Sequence, residues 1–138
     1  MKNAIMAVIG TLGSVVASFF GGWTSAMTTL LIFMAVDYAT GLICAGVFHK
    51  SQKTESGALE SRASFKGLCR KGVTIMIVLV CHRLDLIYGG SYIKDGACIA
   101  FILNELISIV ENAGLMGLRI PKVVINAIEV LKKKGEHG

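Results

Sequence analysis

Only 17% of the 138 residues are charged and 7% are aromatic, none of the four cysteines belongs to a CxxC pair, and the first helix-length apolar run holds no acid. Each shortage removes a class of protein. With 54% hydrophobic residues beside so few charges, the chain is too apolar for an ordinary soluble domain of its size. Cys44, Cys69, Cys81 and Cys98 have no histidine at zinc-ligand spacing and no framework for disulfides, so they read as buried, reduced thiols with no metal or cofactor implied. His82 and Asp85 stand one turn apart and are within reach of a hydrogen bond. A catalytic dyad would also need a nucleophile and an oxyanion site, and nothing supplies them, so no catalytic residue is assigned.

What is present is hydrophobic length. Ala4 to Trp23 is an uncharged run of 20 residues, enough to cross a hydrocarbon core about 30 Å thick. Lys2 and the small residues Thr24-Ser25-Ala26 also fit a cleaved signal peptide, but the rest of the chain is itself membrane-like. A second run, 24–48, is broken only by Asp37 and forms a helical hairpin with the first. The polar stretch 49–71 carries six cations against Glu55 and Glu60, the signature of a cytoplasmic loop. Runs 72–90 and 95–117 follow, separated by the turn Gly89-Gly90-Ser91. The segment 121–134 opens on Pro121 and is amphipathic, with Ile120, Val124, Ile128 and Leu131 on one face and Lys122, Asn126, Glu129 and Lys133 on the other. The expectation is one all-α integral membrane domain, 1–138: a bundle of about four transmembrane helices plus a C-terminal amphipathic helix. Both termini then lie with the basic loop on the cytoplasmic side of a bacterial membrane. Basic flanks of apolar spans are not a nucleic-acid footprint.

Within these spans some residues stand out. Ala7, Gly10, Ser14, Ala17 and Gly21 make a stripe of small residues along the first helix, where a partner backbone can approach closely, either the chain's own second helix or another subunit. Asp37 lies mid-span, where a charge costs about 2.5–3.5 kcal/mol unless hidden, paired or hydrated. Gly41 follows on its face. Its partner is either His82 or Arg83 of the third run, or water in a lumen shared by several subunits. In the fourth run Asn104, Glu105, Ser108, Glu111 and Asn112 form a polar stripe, facing either the His82-Arg83-Asp85 side of the bundle or a shared opening.

Asp37-Tyr38-Ala39-Thr40-Gly41, then Ser64-Phe65-Lys66-Gly67-Leu68-Cys69-Arg70-Lys71, then Asn104 through Asn112 and Ile120-Pro121-Lys122 form, in this order, a pattern that resembles the phage lysis and toxin-secretion holins. These are small membrane proteins of phages and bacteria, mostly Gram-positive. The blocks cover residues from about 30 to 132, with Ser64, Gly67 and Lys71 in the loop block. The resemblance implies a homo-oligomer that accumulates in the cytoplasmic membrane and forms lesions. An endolysin, or in relatives a large toxin, then crosses them. An antiholin or regulatory membrane subunit shares the same sequence features. A small proton-coupled multidrug transporter would want an acid in its first helix and more aromatic residues.

Met1 and Met6 are both possible initiators, and starting at Met6 removes Lys2, the only cationic side chain before the first span. Two forms differing in that charge would differ in how readily the N-terminus enters the bilayer. Mass spectrometry of the expressed N-terminus is expected to find both products; the longer one alone would exclude this device.

Overall fold

The computed structural model describes residues 1–90 and 92–137, so Ser91 of the expected turn and Gly138 lie outside the described residues. Five helices follow one another: α1 (Lys2–Phe19), α2 (Ser25–Gly46), α3 (Ser61–Tyr88), α4 (Tyr92–Leu115) and α5 (Lys122–His137). Among the described residues there is no strand.

Local chemistry sets the helix ends. Gly21 and Gly22 adopt left-handed backbone (φ 78° and 94°), which turns the chain after α1. Thr24 then caps α2, its hydroxyl accepting from the Met27 amide at 3.3 Å. Trp23 closes this turn by donating from Nε1 to Thr28 Oγ1 at 2.7 Å. Gly89 (φ 79°) ends α3 with its amide on the Asp85 carbonyl at 2.7 Å, a left-handed helix stop.

α4 is the organising element, packed most extensively against α2 and also against α3 and α5. It runs alongside α2 in the same direction, because Phe20 meets Lys94 at one end and Asp37 meets Ser108 and Asn112 further along. α3 runs the opposite way, reaching Asp37 with its early Lys71 and Lys94 with its late Asp85. Met27, Leu30 and Met34 of α2 pack with Val78 of α3 and with Cys98 and Ile102 of α4, and Phe20 closes this core from the first turn. The two short turns therefore share one end of the bundle and the 47–60 loop the other.

Three differences from the sequence reading have physical causes. The expected loop 49–71 is shorter, because residues 61–71 extend α3 by about three turns; charge alone does not stop a helix that lacks Pro and has its amides paired. The remaining loop is folded on itself: the Ser51 amide bonds the Gly57 carbonyl at 3.0 Å, and a Cβ on Gly57 would meet the His49 carbonyl oxygen at 2.3 Å. The α1 stripe does not pack along α2. No α1 residue is buried, Gly10 has open space where a side chain would begin, and Ile5, Ile9, Leu12 and Phe19 are each more than half exposed. Among the described residues, the contacts that tie α1 to the bundle lie just beyond its C-terminal end. There a Cβ on Gly21 would fall 2.2 Å from the His82 ring, and Lys94 Nζ donates to the Phe20 carbonyl.

α1 and α2 are long and apolar enough to cross a membrane. α3 and α4, expected to hold the third and fourth spans, are 28 and 24 residues long but more interrupted by charge. The apolar face of α5 turns onto the bundle, with Ile128 buried and Val124 and Leu131 half-buried.

Candidate functional site

Hydrophobic spacing along α2 puts Met27, Leu30, Met34, Asp37, Cys44 and Ala45 on one buried face, so Asp37 is carried inward by its neighbours. On α3, Ser64, Gly67 and Lys71 follow at three- and four-residue spacing and are half-buried on the side facing α2. On α4 the buried face is mixed: Lys94, Cys98, Ile102, Glu105 and Asn112. These three faces converge on one polar cluster.

Lys71 Nζ lies 2.8 Å from Asp37 Oδ2 and 2.7 Å from Glu105 Oε2. Asp37 Oδ1 accepts from Ser108 Oγ at 2.6 Å and from Asn112 Nδ2 at 3.1 Å, and Asn112 also reaches Thr40 Oγ1 at 2.9 Å. Asp37 and Glu105 are 4% and 6% exposed, so their charges are held away from solvent and their pairing decides whether the fold tolerates them. One ammonium faces two carboxylates, and the hydroxyl and amide donors supply what the single cation does not. Among the described residues no buried side-chain polar atom lacks a partner.

Asp37 is therefore paired within the chain, but with Lys71 rather than with His82 or Arg83. The sequence reading left Lys71 in the loop; as part of α3 it sits almost three turns in, on the inner face. The α4 polar stripe divides as well: Glu105, Ser108 and Asn112 turn inward to meet Asp37 and Lys71, while Asn104 and Glu111 are exposed. Ile102 shares the buried face with Glu105. The side of α4 that meets α3 at the other end uses Asp85, whose carboxylate accepts from the Ile93 and Lys94 amides at 2.9 and 2.8 Å. Asp85 thus caps the start of α4 from the preceding helix instead of bonding His82, while Arg83 is exposed.

Thr40, Lys53 and Lys94 escaped the sequence reading. Lys94 has a faint signal, the one cation of α4, placed in its first turn. Lys53 has none, because its ammonium, 4.0 Å from a Cβ placed on Gly41, is brought there by the folded loop. A cleft of about 420 Å³ opens from the loop end onto the cluster and is lined by Lys53, Arg70, Lys71, Glu105, Ser108 and Glu111. Among the described residues no group of His, Cys, Asp and Glu is arranged to hold a metal ion. The cluster fixes three helices against one another, and if they separated it would present charged faces to water.

Residues 14–133 match the model of a bacteriophage holin family. The chain is 36% identical to an uncharacterized protein of Halalkalibacterium halodurans, with 88% of each chain covered. It is 33% identical to an uncharacterized protein of Listeria innocua, covering 94% of this chain and 89% of that one. A probable holin of Bacillus phage phi105 is 26% identical over 87% of this chain and 84% of its own. No solved structure matches.

Replacing Lys71 by Met strands two buried carboxylates and is expected to destabilise the bundle by about 3–5 kcal/mol. Adding Asp37→Asn and Glu105→Gln to Lys71→Met should recover part of that loss, because the three act as a unit. Thermal unfolding of the purified protein in detergent checks this; a triple variant no better than Lys71→Met would contradict it.

Proposed function

The chain belongs to the bacteriophage holin family, whose members are membrane proteins acting in general without enzymatic chemistry, and from that premise we propose that it opens lesions in the bacterial cytoplasmic membrane. α1 to α4 each cross the bilayer in this reading. The termini and the 47–60 loop lie inside, and an endolysin, or an exported toxin, is what passes.

The observation that carries the reading is the contrast between α1 and the rest. α2, α3 and α4 satisfy one another's polar groups, whereas α1 offers Ala7, Gly10 and Ser14 as exposed positions with no partner among the described residues. In lipid the hydrophobic effect does not drive helices together, so close contact along small residues is the available means of association. Self-association through this stripe raises the local density of bundles. Above a critical density the faces bearing Asp37, Lys71, Glu105, Ser108 and Asn112 exchange their intrachain contacts for a shared water-filled opening. Dilute protein is then harmless, and concentration sets the time of opening.

Inducible expression in a bacterium tests this, following membrane potential and viability with and without an endolysin that lacks its own export signal. Abrupt depolarisation and death at a set time are expected, with lysis only when the endolysin is present. Continued growth with intact potential would contradict pore formation and favour an antiholin or a transporter. Replacing Gly10 and Ser14 by Leu is expected to delay or abolish lysis at unchanged membrane levels; unaltered timing would remove α1 as the associating face.

A further inference from the structure

Arg62, Lys66 and Arg70 stand at four-residue spacing and form one row of cations along the first turns of α3. Like charges so placed repel weakly in water, and an anion lodged among them is attracted by all three at once. Among the described residues none of the three makes an ion pair, nor does Lys53, which closes the row from the loop. The four cations line a cleft of about 290 Å³ with Gly67 at its floor and Glu60 as the only acid on its wall. A Cβ on Gly67 would meet nothing within 4 Å, so the floor is open rather than packed.

We propose that this cleft binds the phosphate headgroup of an anionic phospholipid from the inner leaflet. Two features favour a lipid over a free anion. Phe65 and Leu68, on the same turns of α3 but on its other flank, are 67% and 53% exposed, so these turns meet an apolar layer as well as a charged one. The row also lies at the loop end of the bundle, about 15 Å along α3 from Ser61 to Lys71, where the headgroup layer meets a helix emerging from the core. Basic pockets at the cytoplasmic ends of membrane helices attract anionic headgroups by about 1 kcal/mol per cation near the surface. Because the cleft shares Lys53, Gly67 and Arg70 with the deeper one leading to Lys71, a bound headgroup sits over the mouth of the buried cluster.

The site rests on the membrane placement proposed above, but its test does not involve lysis. The full chain, purified in detergent and stripped of lipid, is titrated with phosphatidylglycerol, with phosphatidylcholine and with inorganic phosphate, and bound lipid is counted by native mass spectrometry. Phosphatidylglycerol is expected to bind saturably, phosphatidylcholine not to, and inorganic phosphate not to displace the lipid. The variant Arg62→Gln, Lys66→Gln, Arg70→Gln should bind phosphatidylglycerol more weakly by about fivefold for each cation removed. A control in which Lys132, Lys133 and Lys134 become Gln loses equal charge elsewhere and should bind as the native chain does. Equal binding of the two lipids, full displacement by phosphate, or native affinity in the cleft variant would each overturn the site. Should that variant fail to fold, the lipid comparison and the phosphate competition on the native chain decide alone. Lipid binding without lysis, or lysis without lipid binding, separates this inference from the proposed function.

Discussion

The arrangement hangs on one ammonium held between two carboxylates from different helices. Lys71 of α3 lies within 2.8 Å of both Asp37 and Glu105, and through them it fixes the register of α2 and α4 on either side of it. Removing the ammonium in a low-dielectric interior strands two carboxylates at once, whereas removing either carboxylate leaves a one-to-one pair. The hydrogen bonds from Ser108 and Asn112 extend the same constraint along α4. Such a cluster is a weak source of stability but a strong specifier of alignment, since sliding any one helix by a turn breaks its polar contacts to both of the others.

α1 is the counterpart of this constraint. Among the described residues it adds no side chain to the cluster, and the chain after it meets the bundle at Phe20 and Gly21, where Lys94 and His82 receive it. The apolar face of α5, by contrast, is absorbed by α4. The chain therefore has one face ready for lipid or for a second copy, and another whose polar groups are already occupied. In a membrane the two are not equivalent: small-residue contact is gained by approach alone, whereas the polar cluster must be opened against its own pairing.

Much of this was legible in the residues. The runs containing α1 and α2, the basic segment between the second and third runs, and the existence of a polar stripe with Glu105, Ser108 and Asn112 follow from hydropathy and helical period; which way that stripe turns does not. The family resemblance rested on the same blocks that the family match covers. What escaped was the identity of the partner across the bundle. Lys71 stood at the junction of a charged stretch and an apolar run, and composition assigned it to the loop; only the continuation of α3 back to Ser61 turns it inward. Asp85 was legible as a polar residue near a helix end but not as the cap of the next helix, because the amides that donate to it lie beyond the turn. The packing of the α1 stripe was undecided in sequence because spacing tells what a face permits and not what occupies it.

The central claim is that the contacts between α2 and α4 around Asp37 are closed in the resting chain and must part for a lesion to form. Its most direct test is a lock. With the native cysteines replaced, Thr40→Cys and Asn112→Cys place thiols on two side chains that lie in hydrogen-bond contact. The protein is reconstituted at increasing density into vesicles loaded with a protein-sized fluorescent cargo. Cargo should escape above a threshold density when the thiols are reduced, be retained when they are cross-linked, and escape again on reduction. Equal release from the cross-linked protein would show that the lesion forms with the cluster intact, and the account would fail at its foundation.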